Sequence, residues 1–168
     1  VKLADGASEN NQGLMCRYTD DQNFYAMTIG NDGWVEILKV FNGEQTQLFG
    51  EFFTSEIDPV SNHLQGFCIG ERLVFSANGA LLADVNDSDL QFGDVGVIIG
   101  SFDDPKVTIR FDNLVVSEAL EKVNFLDNTL ASIQEDLGVN LNKDWKQEFS
   151  DSFEDPSAGT WDLISGGP

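Results

Sequence analysis

Short apolar runs punctuated by Asn-Gly and Asp-Gly pairs set the limits on what this chain can fold into. Leu14–Tyr18, Phe24–Ile29, Trp34–Phe41, Gln47–Phe52, Leu64–Ile69, Leu73–Ala77, Leu81–Val85, Val95–Ile99 and Val107–Val116 are rich in β-branched and aromatic residues and read as strands. Between them stand Asn31-Asp32-Gly33, Asn42-Gly43 and Asn78-Gly79. Asn and Gly accept the positive φ that tight hairpins demand. Strands at this spacing predict an antiparallel sandwich or barrel, and no catalytic signature accompanies them.

A chain of 168 residues can hold one domain plus an appendage, burying roughly 70% of its unfolded surface. With 41% hydrophobic residues and 13 Phe, a sandwich core is well supplied. Charge is lopsided: 9 basic against 29 acidic residues, a net charge of −20. That balance repels nucleic acid and anionic membranes, whose binding depends on Lys and Arg. It reads as solvated acidic faces or, more sharply, as cation binding. No stretch approaches the ~20 apolar residues of a membrane span. The chain opens without an initiator Met or a signal peptide, so Val1 reads as a processed or truncated start.

Cys16 and Cys68 both fall within strand-like runs. In an oxidising compartment they would pair across or between sheets, stabilising by about 4 kcal/mol on the chain-entropy model. In a cytosolic protein they would be buried free thiols. A single His and no second cysteine pair make zinc ligation poor.

Along the chain, Val1–Ala7 alternates as an outward-facing strand would, and Ser8–Gln12 reads as a turn. Trp34 to Val40 alternates incompletely, which predicts a strand covered on both faces. Thr54–Asn62, with Pro59, reads as a loop, Arg72–Val85 as the clearest hairpin, and Lys106–Val116 as the strand closing the sheet. After Ser117 the pattern changes. Val123, Leu126, Leu130, Ile133 and Leu137 recur at helical spacing. Asp127, Asn128 or Thr129 can cap that helix and Gly138 can end it. The last segment is rich in Ser, Asp and Gly yet carries Phe149, Phe153 and Trp161, too many aromatics for a disordered linker. The expected organisation is a sandwich over residues 1–117, a helical linker over 118–144 and a docking tail over 145–168.

The order of blocks resembles the extracellular concanavalin A-like jelly rolls, akin to laminin-G-like and carbohydrate-binding modules. The matching text is Gly13-Leu14-Met15-Cys16-Arg17-Tyr18, Asp21-Gln22-Asn23-Phe24-Tyr25, Phe41-Asn42-Gly43-Glu44, Phe75-Ser76-Ala77-Asn78-Gly79, Gly93-Asp94-Val95-Gly96 and Phe111-Asp112-Asn113-Leu114-Val115-Val116. In the tail, Phe149-Ser150-Asp151-Ser152-Phe153-Glu154-Asp155-Pro156 and Gly159-Thr160-Trp161 are similar to the opening strand of such a module. The resemblance therefore implies that residues 1–117 lack their opening strands while one such strand stands at the far end. An open sheet edge invites another strand. The chain is then a fragment of two tandem modules, or folds its tail back on its own sheet, or donates it to a neighbouring copy and forms filaments. The resemblance also implies a structural calcium held by Asp112, Glu154 and Asp155, since calcium takes six to eight oxygen ligands. The alternative is that Asp112-Asn113 merely ends a strand and Asp155-Pro156 starts a turn.

Glycosidases on jelly rolls need two carboxylates about 5–5.5 Å apart. The nearest text, Glu56-Ile57-Asp58-Pro59, stops at proline without the second glutamate. His63 is the sole histidine and no nucleophile sits in a triad setting. Tyr18, Tyr25 and Trp34 are candidates for a sugar platform, because apolar sugar faces stack on aromatic rings. The expectation is an all-β jelly-roll β-sandwich with a short C-terminal α-helix and tail strand. It acts outside the cell or at its surface as a non-catalytic module that binds a glycan or cell-surface protein. The other expectation is a filament subunit joined by strand donation.

Overall fold

The computed structural model describes residues 1–5, 10–53, 55–101, 107–119 and 145–151. They fall into two compact units, one running through Phe111 and one starting at Asp112. No helix among the described residues is long and apolar enough to cross a membrane.

The first unit is built from antiparallel strands β1 (Lys2–Asp5), β2 (Asn10–Asp20), β3 (Asn23–Gly30), β4 (Trp34–Phe41), β5 (Glu44–Phe52), β6 (Leu64–Ile69), β7 (Arg72–Ala77), β8 (Ala80–Asn86), β9 (Asp94–Ser101) and β10 (Thr108–Arg110). One sheet has the order β5-β4-β3-β2-β9 and the other β6-β7-β8, while β1 pairs with β10. The turns behave as their residues require. Asn42 and Gly43 have φ of 52° and 79°, and Asn78 and Gly79 have 54° and 85°. Two successive positive φ values define the type I′ turn, whose twist matches that of the strands it joins. In the Asn31–Gly33 loop, Gly33 alone has a positive φ, 91°. The Trp34 N–H there donates to Asp32 Oδ1 at 2.9 Å, which fixes the start of β4.

The core lies between the two larger sheets. Tyr25, Met27 and Ile29 alternate inward from β3, with Ile37 and Val35 opposite the last two on β4. Leu73, Phe75 and Ala77 alternate inward from β7 to meet them. Full burial of such side chains contributes about 1.5–3 kcal/mol each. Cys16 on β2 and Cys68 on β6 form a disulfide that ties one sheet to the other. On β9, the alternate residues Val95 and Ile99 are 48% and 45% exposed.

A bulge in β5 decides which of its side chains share a face. Ile37 pairs with Phe49 but Leu38 pairs with Gln47, leaving Leu48 as the extra residue. Leu48 and Phe49 both pack against the core. An extra residue flips the alternation beyond it. Gln47, which simple alternation would turn inward, therefore shares the outer face with Gly50 and Phe52.

Two expectations need correction here. Of the expected turn over Ser8–Gln12, Asn10 to Gln12 instead belong to β2, with Asn10 and Gln12 buried, while Ser8 and Glu9 lie outside the described residues. Val107–Val116 is not one strand. It splits into β10 and β11 (Leu114–Ala119) around Asn113, whose φ of 56° cannot continue an extended chain. Trp34–Phe41 and Leu64–Ile69 have the boundaries their residues predict.

The second unit contains β11 and β12 (Trp145–Asp151), paired antiparallel with Val116 opposite Phe149. The predicted helix through Val123 to Leu137 lies outside the described residues, as do Phe153, Glu154, Asp155 and Trp161.

Candidate functional site

The three aromatic residues expected to form a platform do not assemble. Tyr25 is a correction: it has no exposed surface and lies within the core. Its hydroxyl donates to Asp87 Oδ1 and accepts the Leu90 N–H at 3.2 Å, and the Arg17 guanidinium stands 5.8 Å from its ring centre. Neither ring face is available to a sugar. Tyr18 is half-buried at the Asp20–Asn23 end of the sheet, its ring centre 6.0 Å from that of Phe24. Trp34 stands at the opposite end. Phe24 is in register with Val40, so Trp34 lies six residues along β4 from that level, about 20 Å at roughly 3.3 Å per residue.

What surrounds Trp34 is a different constellation, on the outer face of β4 and β5. Trp34 is paired with Phe52, and their rings meet edge to face with centres 4.9 Å apart. Phe52 is 59% exposed, a large apolar surface left in water where burial would be favourable. One register step along, Glu36 faces Gly50 across the strand pair and Thr28 on the other side. Gly50 leaves room for a close approach: a Cβ there would lie 2.6 Å from Trp34 Cζ2 and 2.4 Å from Gln47 Nε2, and both side chains would have to shift. The indole and the Gln47 amide thus converge above the bare backbone of β5, beside Glu36.

Glu36 is half-buried and takes no hydrogen bond or ion pair among the described residues. Burial pushes its carboxyl above the ordinary range, because desolvation penalises the charged form. Taking a carboxylate out of water without a partner costs free energy. A carboxylate, an amide and two aromatic rings on one face supply hydrogen-bond acceptors and donors for hydroxyl groups and a stacking surface for an apolar one. Neither Glu51 nor Asp94 completes a hydrolytic pair with Glu36. Glu51, next on β5 after Gly50, pairs with buried Val35 and so belongs to the opposite face. Asp94 on β9 is three strands from β4, about 14 Å at 4.8 Å spacing. Neither meets the ~5.5 Å separation of a retaining pair or the wider one of an inverting pair around Glu36.

The other polar clusters hold the fold. Lys39 Nζ donates to Asp87 Oδ2 at 2.6 Å and to Asp89 Oδ2 at 2.5 Å. Hydrogen bonds to these two carboxylates, strengthened by their charge, raise the Lys39 ammonium well above its usual range. Burial opposes ionisation of Asp87, but hydrogen bonds from Lys39, Tyr25 and the Asp89 N–H outweigh it and hold the carboxyl below its ordinary value. Arg17 donates to the carbonyls of Leu90, at 2.6 Å, and Gly70. Together these groups fasten the 87–93 loop to the sheet. Asp58 accepts the Val60 and Ser61 N–H groups, which lower its pKa, and Ile57 is buried in the core. That text is a turn, not half a catalytic pair.

Of the expected calcium ligands, Asp112 is exposed in the segment before β11, while Glu154 and Asp155 lie outside the described residues. Among the described residues no group of three His, Cys, Asp or Glu side chains converges as a metal site.

The sandwich has a counterpart among solved structures. A carbohydrate-binding module, CBM66, from Bacillus subtilis matches with a TM-score of 0.50 at 22% identity, over 60% of this chain and 67% of that one. At that identity the likeness is one of fold and establishes the antiparallel β-sandwich. No family model matches the sequence, and no curated protein does.

Proposed function

We propose that this chain is a non-catalytic glycan-binding module whose binding face is the outer surface of β4 and β5. The observation that carries this reading is the placement of Glu36, Gln47, Trp34 and Phe52 around the bare backbone of Gly50. Apolar sugar faces stack on exposed rings, and sugar hydroxyls hydrogen-bond to carboxylate and amide. The fold shared with a carbohydrate-binding module supports the same reading. The disulfide supports a site of action outside the reducing cytosol. Filament assembly by strand donation has no observation among the described residues in its favour.

The test is titration of the intact protein with neutral oligosaccharides such as cellohexaose, followed by intrinsic tryptophan fluorescence and calorimetry. Trp34→Ala and Phe52→Ala are each expected to weaken binding roughly tenfold while leaving Tm within a few degrees. Tyr18→Ala, at the far end of the sheet, is expected to leave affinity unchanged. Loss of binding with Tyr18→Ala and not with Trp34→Ala overturns the assignment of the face.

A further inference from the structure

Glu36 is expensive to keep where it is. It has no ion pair among the described residues, and its neighbours on the face offer none. Trp34 and Leu38 flank it along β4, Gly50 faces it from β5 and Thr28 from β3, and none of these ionises. The cations Lys39, Arg17 and Arg72 are committed elsewhere: Lys39 to Asp87 and Asp89, Arg17 to two carbonyls, Arg72 to Asp84. A half-buried carboxylate left unneutralised costs stability that a simple Gln would spare. Two aromatic rings beside it add an attraction for cations, since ring faces are negative. The chain as a whole carries a net charge of −20, which repels uronic and sulfated polymers and draws in positive ones.

Resting on the glycan-binding reading, we infer that this face selects amino-bearing glycans: polymers of sugars with a free, protonated amine, which pairs with Glu36 while the ring stacks on Trp34 and Phe52. The amine supplies the counter-charge that the protein omits. The Gln47 amide remains for a hydroxyl.

The test compares chitosan hexamer with cellohexaose and with fully N-acetylated chitohexaose, by calorimetry, on the intact protein and two variants. E36Q removes the carboxylate at the site. Glu44→Gln removes one charge from an exposed position at the start of β5 and controls for bulk electrostatics. The intact protein and Glu44→Gln are expected to bind the chitosan hexamer about tenfold more tightly than either uncharged hexamer. In E36Q that preference vanishes, because the chitosan hexamer loses about tenfold more affinity than either uncharged hexamer, and Tm does not fall. Equal affinity for all three ligands in the intact protein overturns this inference and leaves glycan binding standing. So does a preference that survives in E36Q, because the total charge and not Glu36 then sets it. Failure of all three ligands to bind overturns the glycan-binding reading as well.

Discussion

At the residue scale, Tyr25 shows how one side chain exchanges a possible surface role for a structural one. Its ring fills the core and its hydroxyl bridges Asp87 and the backbone of Leu90. Burial and the Asp87 carboxylate push its pKa up to about 12 from 10.0. A neutral acid whose folded pKa is raised contributes stability that is intact below pH 10 and lost as pH climbs from 10 through 12. Urea denaturation at pH 9 and pH 11 is expected to show this loss in the intact protein and a smaller one in Tyr25→Phe. At neutral pH, Tyr25→Phe is expected to cost about 1–3 kcal/mol, since it leaves a buried N–H short of its partner. The carboxyl of Asp87 runs the other way: lowered in the fold, it stabilises above its ordinary value of 3.8, and that contribution fades as the solution is acidified through its folded pKa.

At the element scale, two hairpins with the same Asn-Gly text carry different loads. Asn42 contributes its backbone N–H to Asn23 Oδ1, a bond any residue could make. The Asn78 side chain is a junction. Its Oδ1 accepts the His63 N–H at 2.9 Å, and its Nδ2 donates to the Glu56 carbonyl and to Asn62 Oδ1, both at 2.8 Å. Both positions have positive φ, so Gly is tolerated by the backbone at each. Asn42→Gly is therefore expected to change stability by less than about 0.5 kcal/mol. Asn78→Gly should cost about 1.5–4.5 kcal/mol, three hydrogen bonds at roughly 0.5–1.5 each. Chemical denaturation of the two variants checks the ordering, and equal losses would show that the junction contributes nothing.

For the whole molecule, one covalent link and one imbalance of charge dominate. The Cys16–Cys68 disulfide spans 52 residues of sequence and joins the two sheets. The double Cys→Ser variant is expected to lose about 2–5 kcal/mol, and mass spectrometry of the denatured protein should find no free thiol. A net charge of −20 stores self-repulsion in the folded state. Raising NaCl from about 20 mM to about 500 mM shortens the Debye length several-fold and is expected to raise Tm by roughly 4 °C. A Tm that falls with salt would mean that favourable ion pairs, such as Lys39 with Asp87, outweigh the repulsion.

The strands and most of their turns were legible in the sequence because both are local. A run such as Trp34–Phe41 declares itself by its side chains, and Asn42-Gly43 by its tolerance of positive φ. The presence of only two cysteines, both in strand text, narrowed the disulfide to one pair. The proposed binding face was not legible. Alternation says that neighbours point opposite ways, never which way is in, and only pairing with distant strands decides that. Trp34 was singled out, but Tyr25 went to the core and Tyr18 to the other end of the sheet, while Glu36, Gln47 and Phe52 carried no signal of their own. A single extra residue at Leu48 turns Gln47 toward Trp34. That bulge exists because Leu48 and Phe49 both gain by burial in a core that forms only when the two sheets meet.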